Sequence, residues 1–317
     1  RKGLEGADAT LSFAYLDSKR EPYERGAEAM LSYLQSKYAG NPPDLLVAVD
    51  NNALRFVREH SDELFPGVPL FFAGINHFSE ADLAGLERPV SGVVEQVDAP
   101  GTLRLIRKLQ PEAEKLYLVT GTTPTAQAVR EEVAQSLAPR HEGFELVWLD
   151  GLSTAALKKQ LEAIAATDAV LLNLFNRDGE GRYYEYEQAG ELIAKHSPAP
   201  VYGMWDFYLG SGVVGGRLAS SHDQGLAAGL LVRQYLSDGT WPPILEDSPN
   251  RAIFSYGALR ASGLDPEVLR GVAEIRGGPG QSRWALTLIM GLGSLLVLIL
   301  LGSLVGLLRR KRGAVQL

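Results

Sequence analysis

The sequence predicts an α/β fold of two doubly wound parallel-sheet lobes followed by one transmembrane helix. Three observations carry this. Short apolar runs alternate with amphipathic helical stretches through most of the 317 residues, and strand–helix alternation is the pattern of a parallel sheet covered by helices. The alternation runs long enough for two such sheets. From Trp284 to Leu308 no residue is charged, a length that crosses a ~30 Å hydrocarbon core with some tilt.

The elements follow in order. TLSFAY at 10–15 reads as a strand, and 24–38 as a helix with Ala27, Met30, Leu31 and Leu34 on one face. LLVAV at 45–49 is a continuous apolar run, as in a strand buried on both faces. A helix is expected over 52–60, and strands over 68–72 and 90–94. The alternation then repeats, with a helix over 102–109 ended by Pro111, a strand over 116–119, and a helix over 124–137 that opens on Pro124. A strand over 145–149 precedes Ser153, the expected N-cap of a helix over 154–165. Strands over 169–172 and 201–203 flank a helix over 184–195. An extended segment over 213–218, a helix over 224–236 and a short strand over 252–255 complete the order. The crossings between lobes are expected near 94–102 and 208–220, where glycine and polar residues collect. No internal repeat or low-complexity segment is present.

In open α/β sheets ligands bind beyond the carboxyl ends of the strands. Five loops are therefore the candidate site. They contribute Asp50, Asn51 and Asn52; Gly74 and Asn76; Thr120, Thr122 and Thr123; Phe175 and Asn176; and Trp205 and Asp206. TGTTPT, opening a helix, offers N–H groups suited to an anion. Asp50 and Asp206 can accept from an amine, and Trp205, Phe175 and Phe207 can pack on an apolar group. Each residue taken singly is equally a cap or turn former; the five loops together make the site. A small polar metabolite, an amino acid or similar, suits this set, with sugar, nucleobase and peptide left open. No cofactor and no metal are expected: the five histidines lack ligand spacing. There is no Walker A, GxSxG or CxxC motif either, so no catalytic constellation is visible.

Charge and cysteine narrow the class. The formal net charge is −7, yet Arg309, Arg310, Lys311 and Arg312 follow the apolar stretch at once. Clustered cations beside a span mark its cytoplasmic side, so residues 1 to about 280 are expected outside the cytoplasm, as the periplasmic part of a single-pass protein of a bacterial inner membrane. That outer part is more acidic than the whole chain, which argues against nucleic acid as a partner. With no cysteine in the chain, disulfides, a catalytic thiol and a lipid-modified cysteine are excluded. The start RKGLE has no apolar leader, so export implies either a leader removed or a piece of a longer chain. Gly302 and Gly306 form a GxxxG, the spacing of a helix homodimer, although a glycine-bearing span also produces it by chance.

YLDSKR at 15–20, KYAGNPPDLLVAVDNNALRF at 37–56 and LFPGVPLFFAGIN at 64–76 resemble the ABC-transporter substrate-binding-protein-like family. VSGVVEQVD at 90–98 and GGRLASSHDQG at 215–225 extend the resemblance over most of residues 1 to about 265. It implies a type I periplasmic-binding-protein fold, and the motifs around Asp50 and Asn76 resemble its sensor branch in membrane histidine kinases and diguanylate cyclases. On that basis residues 1–98 are expected as lobe 1, without the family's opening strand, and 99–208 as lobe 2. Residues 209–265 are expected to return to lobe 1 and the hinge, 266–283 to form a juxtamembrane linker, 284–308 the span and 309–317 a basic cytoplasmic tail. The resemblance implies a ligand-binding sensor whose signalling module lies beyond Leu317. A binding protein serving an ABC importer is the other reading. An enzyme on the same fold lacks catalytic residues to support it.

Overall fold

The computed structural model describes residues 2–278 apart from 19–22, 61, 62 and 140. The expected span, the basic tail and the Gly302–Gly306 pair lie outside the described residues. Among the described residues no helix is long and apolar enough to cross a membrane.

The first lobe is built on a parallel sheet of β1 (Leu46–Val49), β2 (Leu70–Asn76) and β3 (Val90–Glu95), in the order β1-β2-β3. The central strand reads LFFAGIN because both of its faces are covered. Successive side chains point to opposite faces. Leu70 and Phe72 therefore join Leu54 of α2 (Asn51–Glu59), and a register irregularity between Phe72 and Ile75 brings Ile75 to the same face. Phe71 and Ala73 meet Ala228, Leu231 and Val232 of a helix from much later in the chain. The helix α1 (Tyr23–Lys37) packs more lightly, burying only Ala27 against Phe56 and Leu64.

The second lobe holds β4 (Lys115–Val119), β5 (Glu145–Leu149), β6 (Ala169–Leu172) and β7 (Val201–Gly203), all parallel, in the order β5-β4-β6-β7. Its helices are α3 (Ala99–Leu109), α4 (Pro124–Leu137), α5 (Thr154–Glu162) and α6 (Tyr186–His196). Side-chain caps fix three of their starts: Asp98 accepts from the Gly101 N–H at 2.7 Å, Thr123 from Ala126 at 3.3 Å and Ser153 from Ala156 at 3.3 Å.

The remainder of the chain divides between the lobes. The helix α7 (Ser221–Asp238) is the one that covers β2 and β3. The strands β8 (Gly215–Leu218), β9 (Arg251–Ser255) and β10 (Glu274–Arg276) form a third sheet, ordered β10-β9-β8. With α8 (Tyr256–Ala261) they stay beside the second lobe, where Val214, Phe254 and Leu259 share one core with Leu116 and Leu171. Of residues 209–265, then, α7 returns to the first sheet while β8, β9 and α8 do not.

Two further expectations differ from the structure. Parallel pairing is not uniform, because β9 re-enters beside β8 in the opposite direction. The expected strand at 10–15 belongs to no ladder. Its alternating Leu11, Phe13 and Tyr15 are 39%, 56% and 83% exposed. Alternation specifies an extended chain; a strand also requires a neighbouring edge, and this segment instead contacts α1 through Ser12, which accepts from Lys37 Nζ at 2.8 Å. β1 is an edge of its sheet, with Val47 and Val49 exposed.

A candidate ligand cleft between the lobes

The chain crosses between the lobes three times, at 96–98, 218–220 and 248–250. Polar side chains tie the crossings together. Gln224, in the first turn of α7, is 2% exposed. Its Nε2 donates to the Val94 carbonyl at 3.2 Å and to Ser248 Oγ at 2.9 Å. Asn250 Nδ2 donates to the Gln96 carbonyl at 2.7 Å. On the second-lobe side Arg217 pairs with Asp98 at 2.5 Å and donates to the Asn250 carbonyl at 3.3 Å. Three short crossings are thus pinned side by side. The third crossing was not foreseen, because WPPILEDSPN at 241–250 has no periodicity to read.

On the first lobe, the strand-end loops meet each other. Asp50 caps α2 and accepts from the Asn52 N–H at 3.3 Å. It does so at φ 82°, a region a non-glycine residue enters only under constraint; its own N–H donates to the Ala73 carbonyl at 3.1 Å. Asn51 Nδ2 donates to the Asn76 carbonyl at 2.8 Å, and the Asn76 N–H donates back to Asn51 Oδ1 at 3.0 Å. Asn52 Nδ2 donates to Ser18 Oγ at 2.9 Å. Asn51 and Asn52 are therefore engaged within the lobe, and Asn76 is engaged through its backbone.

On the second lobe several polar groups of TGTTPT are engaged from within. The Gly121 N–H donates to the Leu174 carbonyl at 2.8 Å and the Thr122 N–H to the Arg177 carbonyl at 3.0 Å. Thr122 Oγ1 donates to the Asp178 carbonyl at 2.9 Å, and Thr123 Oγ1 both caps α4 and donates to Asn176 Oδ1 at 3.4 Å. Only glycine permits this docking at 121, since a Cβ would lie 2.9 Å from the Arg177 carbonyl oxygen. Thr120 is buried and lies 3.3 Å from the Asn173 amide that donates to it. Phe175 is buried too, its N–H donating to Tyr208 Oη at 3.1 Å. The 175–184 loop is itself built on Asp178. Burial alone would push its carboxyl up, but the Thr154 hydroxyl at 2.5 Å and the N–H groups of Arg182, Thr154 and Glu180 outweigh it and hold the carboxyl below the usual range.

The two walls meet at Trp205. Its Nε1–H donates to Glu95 Oε1, at the end of β3, across 2.8 Å. The indole is 3% exposed and stacks at 6.0 Å on Phe207, which stacks at 4.3 Å on Tyr186. Beside it the Asp206 N–H donates to the Ala219 carbonyl at 3.0 Å, tying this loop to the second crossing. Gly74, at φ 66°, leaves room on the other side of the carboxylate, since a Cβ there would lie 3.5 Å from Glu95 Oε2. Glu132 of α4 lies close enough to feel the charge of the same carboxylate. Burial first, and the charge of Glu95, push its carboxyl up, with His77 and Val97 acting the other way. Glu95 and Glu132 were not anticipated. A lone carboxylate at a strand end and another within a helix carry no motif, and only the topology brings them together. A separate groove of about 570 Å³ lies between 13–17 and α1, lined by Phe13, Tyr15, Leu16, Met30 and Tyr33, and none of the strand-end loops lines it.

The described fold is shared with solved structures. The chain is similar to an ABC domain in complex with L-Trp from Streptococcus pneumonia, at 18% identity and TM-score 0.61, over 86% of this chain and 92% of that one. It is similar also to a substrate-binding protein with adhesive properties from Clostridium difficile in its ligand-free, open structure, at 16% identity and TM-score 0.63, over 86% and 91% of the two chains. A conserved domain protein from Vibrio cholerae is similar at 16% identity and TM-score 0.56, over 86% and 92%. At these identities the likeness shows the fold, an α/β architecture of the kind found in ABC substrate-binding proteins. No protein-family model matches the sequence, and no curated protein matches it.

Proposed function

We propose that this chain is the extracytoplasmic ligand-binding part of a membrane-anchored receptor, of the sensor histidine kinase kind, and that it carries out no catalysis itself. The observation that carries this is the meeting of strand-end loops from two separate sheets at Glu95 and Trp205, beside three pinned crossings. A small polar metabolite, an amino acid or similar, would sit between the Asp50 and Gly74–Asn76 loops of one lobe and the Asn176 and Trp205–Asp206 loops of the other. Binding that bridges both lobes favours the closed arrangement. The β10 strand would pass the change in lobe angle to the apolar stretch from Trp284 to Leu308, the proposed single span, with Arg309–Arg312 on the cytoplasmic side. Gly302 and Gly306 would bring two such spans together as a homodimer.

The importer reading has an observation in its favour: two of the similar structures are described as an ABC domain holding L-Trp and as a substrate-binding protein. The coding sequence beyond Leu317 separates the two. A kinase or cyclase module in frame supports the receptor, whereas adjoining permease and ATPase genes support a tethered transport component. Ligand binding itself is tested by thermal shift and calorimetry of the full chain in detergent against the twenty amino acids and their amines. A saturable stabiliser supports the reading. If these and a wider set of small polar metabolites all leave the melting curve in place, the ligand-binding reading falls.

A further inference from the structure

We propose that Glu95 is a positioning residue that fixes the orientation of the Trp205 indole and latches the first lobe to the second, so that the lobe angle is set beside the candidate ligand site. This rests on the cleft reading above. The carboxylate stands at the last residue of β3, one step before the first crossing. Its Oε1 accepts the Trp205 Nε1–H at 2.8 Å, a side-chain hydrogen bond between the two lobes.

Each partner is held from behind by its own lobe. Trp205 follows β7 and bridges to Ala219 at the second crossing, and its ring stacks on Phe207 at 6.0 Å. Glu95 is in register with Asn76, the residue clamped by Asn51, and Gly74 lies against its Oε2. A hydrogen bond to a carboxylate from an almost fully buried donor is stronger than one between neutral groups and directional. The pair stands where the strand-end loops of the two sheets meet, so the proposed ligand site and the contact between the lobes share it.

The absence of cysteine makes the test direct. Spin labels on Gln160→Cys in α5 and Gln234→Cys in α7, both exposed, report the interlobe distance in the unliganded full chain by pulsed electron resonance. Glu95→Ala and Trp205→Phe, which removes the N–H and keeps a ring, should each raise the longer-distance population by about tenfold, the order expected for one lost hydrogen bond to a charged acceptor. The double variant should go no further than either single one, and Glu95→Gln, which offers a neutral and weaker acceptor, should fall between Glu95→Ala and the parent. The proposal is overturned if Glu95→Ala leaves the distribution unchanged, or if Glu95→Gln is as disruptive as Glu95→Ala. Should Glu95→Ala not fold, Trp205→Phe against the parent decides alone. Because no ligand is present, the latch is judged independently of the binding panel: an intact latch with no binder in the panel would count against the cleft reading and not against Glu95.

Discussion

Asn51 and Asn76 hold each other in both directions. The side-chain amide of Asn51 donates to the Asn76 carbonyl at 2.8 Å and accepts the Asn76 N–H at 3.0 Å. One side chain thus supplies the rung that β1 would make with β2 if it ran further. Asn51→Ala strips two partly buried backbone groups of their partner, and unfolding should cost about 1–3 kcal/mol less than in the parent. Asn51→Asp keeps the acceptor and loses the donor, and should fall between them. Melting curves of the full chain check both, and a parent-like Asn51→Ala would show the clamp to be idle.

Gln224 should matter to the hinge more than its surface neighbours do. Gln224→Leu fills similar space but leaves the Val94 carbonyl and Ser248 without that donor. A loss of about 1–3 kcal/mol is expected, with faster amide exchange confined to 94–98 and 246–250. Exchange measured by mass spectrometry checks the location; a uniform rise over both lobes would argue for a purely global effect.

Glu132 supplies a pH dependence with a definite sign. Its folded carboxyl titrates above the unfolded one, chiefly through burial, with His77 and Val97 opposing the rise and Glu95 adding a smaller push in the same direction. Its contribution is fully present below the unfolded value of about 4.3 and is lost as pH rises through the folded value. Glu132→Gln removes that loss. The variant should therefore gain most over the parent near pH 8 and least near pH 4. His77, Glu95 and the Val97 N–H are the groups facing it from the first lobe. A gain that grows toward low pH would contradict the assignment.

The edge of β1 predicts behaviour in solution. Val47 and Val49 are 45% and 61% exposed on an edge strand, and an apolar edge is a template for another chain. Val49→Lys should lower self-association at high concentration while leaving the melting temperature within about 2 °C, since it removes little burial. Light scattering against concentration checks this, and unchanged association would place the sticky surface elsewhere.

How far the sequence carries the fold can be judged from single elements. LFFAGIN was legible because burial on both faces leaves an uninterrupted apolar run, and the helix at 124–137 because Thr123 and Pro124 mark its start. TLSFAY was misread because alternation says nothing about whether an edge is there to receive it. β10 was missed because Glu274-Ile275-Arg276 is short and charged, and draws its order from pairing with β9. The site shows the same division. The strand-end loops are where topology puts them, but several of their polar groups serve each other: Asn51 with Asn76, Thr122 with Asp178 and Thr123 with Asn176. Those pairings are tertiary and leave no trace in spacing. The contact that joins the lobes, Glu95 to Trp205, spans 110 positions of sequence.

The central claim is that a small molecule bound between the lobes changes the angle between them. The most direct measurement is the interlobe distance of the full chain, labelled at Gln160→Cys and Gln234→Cys, taken before and after addition of any amino acid or amine that stabilises it in the thermal panel. A shorter, narrower distribution is expected on addition, with loss of that response in Trp205→Ala. A stabilising compound that leaves the distance unchanged, or one whose effect survives Trp205→Ala intact, would contradict it.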